Sequence, residues 1–280
     1  MKLGFKFLYA LALLLAAGGF VTDRAAAQET ILDYNVDLVT DYVFRGIDVF
    51  RDVYISREAE ETPFNVAPAL QPSVSFYSPS GLWFNFWGSF ALTDREDEDS
   101  PNPDTGDTFA GLQTLDELDT TIGYDWSNRL GSFSVGIVNF GLINPEVQGE
   151  DGSNIQEMFF SWGLPFMESF APALSYNLDS DTANSYSTLS VGGGESPSWT
   201  VNLGYGSAGG AQGVQDVTGS IGFGFGGGLS VSANAAFRPT PQLVGYNSDG
   251  EYISQEDGSV ADYPPAIAWI ALSWGGEVTE

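Results

Sequence analysis

The chain has 280 residues, carries 37 acidic against nine basic side chains, and contains no Cys and no His. Those absences exclude disulfides, a Ser-His-Asp triad, a Cys nucleophile and the usual zinc sites. A carboxylate surplus of this size repels nucleic acid and anionic lipid at long range, so neither is expected as an electrostatically held partner.

The N-terminus opens with Lys2 and Lys6, runs apolar from Phe7 to Val21, and reaches "AAA" before Gln28. This predicts a secretory signal over 1–27, cut after Ala27, because the apolar run is too short for a membrane span. Cleavage removes Lys2, Lys6, Arg24 and Asp23, three of nine cations and one of 37 acids, which leaves 6 and 36 and a net charge of −30. The remaining cations are all Arg, and residues 28–280 are expected to form one domain.

From residue 31 the chain alternates. Leu32, Tyr34, Val36, Leu38, Tyr42 and Phe44 fall on one parity, and Asp33, Asn35, Asp37, Asp41 and Arg45 on the other. Alternate residues of a strand face opposite sides, so 31–46 is predicted as one long strand with an apolar and a charged face. The pattern returns over 64–76 and, after "SPSG", over 82–90, where Trp83 and Trp87 oppose a Phe face. Further strands are predicted near 115–126, 132–142, 154–162, 170–178, 185–192, 198–206, 215–226, 229–238 and 265–274, twelve in all. The facing of 132–142 and 185–192 stays open.

Connections alternate between short turns such as "SNRLG" and longer stretches near 46–63, 94–114, 143–153, 179–184, 207–214 and 239–264. Short turns on one side, longer loops on the other and an even strand number define an up-and-down transmembrane β-barrel of the bacterial outer membrane. Aromatics support it: Phe76, Trp126, Phe133, Trp162, Phe170, Trp199, Phe225 and Trp274 flank the short turns, while Phe44, Phe64, Phe90, Tyr176, Tyr205 and Phe237 sit toward the loops. Two such belts match interfacial girdles. The competing fold is a secreted, soluble β-sandwich binding domain.

The stretch "VDLVTDYVFRGIDVF" contains Thr40, Asp41, Tyr42, Phe44, Arg45 and Gly46. It resembles the early strand motif T/S-D-Y-x-F-R-G of the TorF-like porin family, a group of conserved exported barrels. "PALQPSVSFYSPSGLWFNFWGSF" and "LDELDTTIGYDW" are similar to the segments that follow it there, so the likeness covers about residues 35–140. It implies an outer-membrane barrel. The chain departs from the pattern in its acid-rich loops and in the six residues after Trp274, beyond the aromatic on which such barrels commonly end.

In a barrel the polar faces point into the lumen, which puts Asp33, Asn35, Asp37, Asp41, Arg45, Glu117, Asp119 and Asp125 there as candidate selectivity residues. Tyr77, Trp83 and Trp87 join them, either as stacking surfaces for a sugar or nucleoside or as filling. Arg45, near the loop end, is expected to pair with Asp41 or a loop carboxylate and help form a constriction. Carboxylate pairs such as Asp37 with Asp41, or Glu117 with Asp119, are the acid-base chemistry that remains, and without a substrate-shaped cleft they do not make an enzyme.

Asp97, Asp99 and Asp104 in "DREDEDSPNPDTGD" offer oxygens to calcium without EF-hand spacing, a weak site that could also bridge to lipopolysaccharide phosphates. No cofactor is expected. The function that follows is a porin-like channel for passive diffusion of small polar or cationic solutes, lodged among outer-membrane lipid and lipopolysaccharide. The alternative is a closed structural or adhesive barrel with acidic surface loops.

Overall fold

A computed structural model describes residues 30–49, 68–92, 117–141, 155–244, 251–253, 260–262 and 264–279. The predicted signal, Phe64 and the acidic loop with Asp97, Asp99 and Asp104 lie outside the described residues. The strands, in chain order, are β1 (Ile31–Val39), β2 (Val43–Phe44), β3 (Ile47–Asp48), β4 (Ala69–Tyr77), β5 (Leu82–Ala91), β6 (Glu117–Asn128), β7 (Gly131–Phe140) and β8 (Ile155–Gly163). There follow β9 (Ala173–Asp179), β10 (Ser185–Gly193), β11 (Ser198–Ala208), β12 (Ala211–Gly226), β13 (Leu229–Phe237), β14 (Glu251–Ile253), β15 (Val260–Asp262) and β16 (Ala266–Thr279).

Twelve of them close a barrel in the order β1-β16-β13-β12-β11-β10-β9-β8-β7-β6-β5-β4, every neighbouring pair antiparallel. Closure through β1, which pairs with both β4 and β16, removes the sheet edges that would otherwise template aggregation. With strands about 4.8 Å apart and tilted about 40°, twelve of them enclose a wall roughly 24 Å across. β2 with β3, and β14 with β15, form separate two-stranded hairpins.

The alternation read from sequence sorts the wall into two surfaces. Leu32, Leu38, Leu70, Val74, Phe76, Phe84, Phe86, Ile122, Ile137, Ile221, Ile270 and Leu272 are exposed on the outside, Phe86 at 51% and Ile270 at 53%. A predominantly apolar exterior around a sheet with a polar interior is the arrangement of a membrane-spanning barrel, since soluble monomers rarely show more than a few hundred Å² of it. The fold is therefore the transmembrane barrel and not the sandwich. Outside, Tyr124, Trp126, Phe133 and Trp162 stack with nearly parallel planes across β6, β7 and β8 at centroid spacings of 5.2–6.1 Å.

Pairing also settles the two open strands. On β7 the partners Asp125↔Ser134 and Trp126↔Phe133 put Ser132, Ser134 and Phe140 inside and Phe133 and Ile137 outside. On β10, Leu189↔Leu174 faces lipid, so Tyr186 and Thr188 face inward.

Four expectations are corrected. The first strand ends at Val39, not residue 46, and Tyr42 and Phe44 do not continue its lipid face. Phe44 accordingly leaves the outer aromatic belt. The stretch 207–214 is a tight turn at Gly209 and Gly210 between extended β11 and β12, not a long loop. The residues after Trp274 belong to the last strand, with Glu277 opposite Asp33, so Trp274 is an internal strand position.

Candidate functional site: a hairpin across the lumen

After Val39 the chain turns inward. Thr40 fastens this departure to the last wall strand: its amide donates to the Ile270 carbonyl at 2.9 Å, and its hydroxyl accepts from the Ile270 amide at 3.0 Å. Residues 40–49 then fold into a miniature hairpin, closed by the Val49 amide donating to the Tyr42 carbonyl at 2.9 Å. Its turn is Arg45-Gly46, with φ of 51° and 74°. Two-residue hairpin turns of the tightest kind need positive φ at both central residues, which Gly46 adopts freely and Arg45 must be held in.

The hold on Arg45 comes from four directions. Its guanidinium donates to both oxygens of Glu157 on β8, at 2.7 and 2.5 Å. The same group lies 4.6 Å from the Phe44 ring centroid and 4.7 Å from that of Tyr186 on β10, so the cation is clamped between two aromatic faces. Gln215 on β12 donates to the Arg45 carbonyl at 2.8 Å. Arg238, fully buried just beyond β13, donates to the Gly46 carbonyl at 3.4 Å and to the Pro264 carbonyl at 3.0 Å.

On the other side, Tyr42 donates to Glu117 at the start of β6, at 2.9 Å, and its ring packs 5.5 Å from Trp87. Burial first, then the charge of Glu117, hold the Tyr42 phenol well above the usual tyrosine range, so it stays a donor. Phe44 meets Phe140 of β7 edge-on at 5.7 Å. Below them Val39, Tyr42 and Ala69 form a small apolar core with Phe44, Val49, Trp87, Ala91 and Ala271 packed against it.

In the barrel order β6 and β12 stand six places apart of twelve, on facing walls. The hairpin therefore bridges the lumen, hydrogen-bonded to both sides at the end where β1 meets its long loop.

β12 is shaped for this contact. Gly204 pairs with Asp216 and Tyr205 with Val214, leaving Gln215 as the extra residue of a bulge. A bulge lets two consecutive side chains face the same way, and both Gln215 and Asp216 are buried inside. Asp216 accepts from the Tyr186 hydroxyl at 2.9 Å, in space that exists because Gly204 has no side chain; a Cβ there would meet the Tyr186 oxygen at 2.3 Å. A Cβ on Gly46 would likewise lie 2.5 Å from the Asp216 Cβ. The second carboxylate oxygen of Asp216 is buried with no hydrogen-bond partner, as is one oxygen of Asp37.

The predicted lumen residues divide in two. Asp33, Asn35 and Asp37 on β1, Trp83 and Trp87 on β5, and Glu117, Asp119 and Asp125 on β6 occupy inward wall positions. Asp41 and Arg45 do not: both belong to the hairpin, and the partner of Arg45 is the strand residue Glu157 in place of Asp41 or a loop carboxylate. Sequence reasoning missed Glu157, Tyr186, Gln215, Asp216 and Arg238. "VQDV" carried a signal, two polar residues in a row between outward valines, and so did "VFRGID", a turn dipeptide between apolar pairs.

No family model matches the chain, and no curated protein sequence matches it. Among solved structures it is similar to a mutant of the Rh. blastica porin, with 11% identity and a TM-score of 0.35 over 88% of this chain and 99% of that one. It is also similar to the Pseudomonas putida toluene transporter TodX, with 12% identity and a TM-score of 0.27 over 91% of this chain and 70% of that one.

Proposed function

We propose that the chain is an outer-membrane channel for passive diffusion of small polar solutes, weakly preferring cations, with its width set by the hairpin of residues 40–49. The observation that carries this reading is the bridge itself. A segment with its own turn, ion pair and bulge partner crosses a polar lumen that the wall alone would leave wide.

The charge of the wall supports the cation preference. Asp33, Asp37 and Asp125 face the lumen from β1 and β6, whereas the hairpin's Arg45 is neutralised by Glu157. A low-dielectric wall focuses the field of such carboxylates and raises the local concentration of cations. Short turns of membrane barrels face the periplasm, so the hairpin lies at the cell-exterior end of the lumen, where lipopolysaccharide surrounds the barrel, and the acidic loops offer sites for divalent ions there. The T-D-Y-x-F-R-G likeness to the TorF-like family points the same way, because its residues are the hairpin.

We assign no catalysis. Glu117 is engaged by Tyr42, and Asp119 accepts from the Gly141 amide at 3.4 Å, so this carboxylate pair faces protein groups instead of a substrate cleft.

Purified protein in planar bilayers is expected to give discrete conductance with a cation-selective reversal potential. Asp33→Asn lowers that selectivity if the side chain lines the path, and an unchanged reversal potential removes it from the path. The same bridge favours a second reading, a closed barrel that displays acidic loops to a surface partner. Silent bilayers, both for the native chain and for a variant with the hairpin loosened, would select it.

A further inference from the structure

We infer that the vestibule between the hairpin and the short turns binds neutral carbohydrate, on an aromatic strip facing a wall of hydroxyl and amide groups. This deepens the channel reading and rests on it for the solute's route, though not for its binding.

The strip consists of Tyr77, Trp83 and Phe159. Trp83 lies against β6: a Cβ on Gly123 would meet its ring atoms at 2.4 Å, and its indole nitrogen donates to Asp125 at 2.7 Å. Phe159 lies against β7 in the same way, its ring 2.6 Å from where a Cβ on Gly136 would sit. Tyr77 and Trp83 are 6.2 Å apart with planes at 36°, and Trp83 and Phe159 are 6.0 Å apart at 37°. Two glycines on neighbouring strands thus let two rings press onto the wall from inward-facing positions of β5 and β8. None of the three rings is fully buried. This differs from Trp87, which packs under Tyr42 and fills space.

Across the lumen, β10 to β13 turn Ser190, Thr200, Asn202, Ser220, Ser232 and Asn234 inward, with no charged group among them. Beside the strip, Asp33, Asp125 and Glu277 line a cavity of about 290 Å³ that also takes in Tyr77. Sugar rings present an apolar C–H face and an equatorial rim of hydroxyls. The first suits a ring lying flat, and the second suits carboxylate acceptors and hydroxyl or amide partners. A compact organic cation would use the rings and carboxylates and leave the neutral wall idle, so carbohydrate is the class that employs both sides.

The test uses the full chain, folded in detergent micelles, and follows tryptophan fluorescence and calorimetric heat on titration with maltotriose, with choline as the cationic control. Native protein is expected to bind maltotriose in the millimolar range. Trp83→Ala and Phe159→Ala each weaken it by about tenfold, and Trp83→Phe keeps most of it, because a ring remains. Gly123→Val, which lifts Trp83 off the wall, acts like Trp83→Ala. No saturable maltotriose signal in native protein, binding indifferent to both alanine variants, or choline binding in its place would overturn the inference. Conductance without maltotriose binding leaves the channel standing and removes this site; binding without conductance does the reverse.

Discussion

Arg45 shows how much one side chain can be asked to do. It occupies a left-handed backbone position that arginine disfavours, and it stays there because Glu157, two aromatic faces and Gln215 all hold it. Breaking a largely desolvated, bidentate pair by removing one partner costs roughly 3 kcal/mol, mostly through the charge left behind. Glu157→Gln is therefore expected to loosen the hairpin and increase open-channel noise and conductance. Arg45→Lys should behave nearly as badly, because a point charge can neither fork onto Glu157 nor stack between rings. Single-channel recordings compare the three, and a lysine variant indistinguishable from native would show that charge alone matters. Gly46→Val combines a positive φ with a clash against Asp216 and should cost about 2 kcal/mol of hairpin stability or more. Protease susceptibility of the 40–49 segment measures it, and native-like protection would refute the close approach.

At the level of elements, β12 and the 40–49 hairpin are complementary halves of one device. The bulge supplies Gln215 and Asp216 together, and without it one of them would point to lipid. Deleting Gln215 restores strict alternation; the prediction is a barrel that still folds, with the Arg45 carbonyl unsupported and the hairpin exposed to protease. An unaltered cleavage pattern would mean the bulge is incidental. This is also where sequence reading stops. Period two is a local property, so Leu32 to Leu38, the Phe face of β5 and the acid face of β6 are all legible in the sequence alone. The inward turn at Thr40 was not, because Tyr42 and Phe44 keep the outward parity while the backbone leaves the wall. Their apolar character suits a lumenal core as well as lipid, and only partners on distant strands distinguish the two. Glu157 and Arg238 stayed invisible for the same reason: their significance lies in contacts across 112 and 192 residues of chain.

For the whole molecule, two surfaces meet different solvents, and the same substitution should have opposite consequences on each. Phe86→Arg, on the outer face near the middle of β5, is expected to destabilise the folded barrel in vesicles by about 2–4 kcal/mol. Ser134→Arg, facing the lumen, should leave urea unfolding nearly unchanged while shifting ion selectivity toward anions. Equal destabilisation by both would contradict the membrane-facing assignment. Along the barrel axis the lumen is divided too, with a bridged, acid-rich end at the hairpin and an aromatic vestibule between it and the short turns. The bridge, on this view, limits passage through an otherwise wide barrel. Single-channel conductance with reversal potential, measured for the native chain and for Glu157→Gln in the same bilayers, decides whether it does. A small, cation-selective conductance that rises severalfold in the variant is expected; an identical conductance in both would show that the bridge does not limit passage.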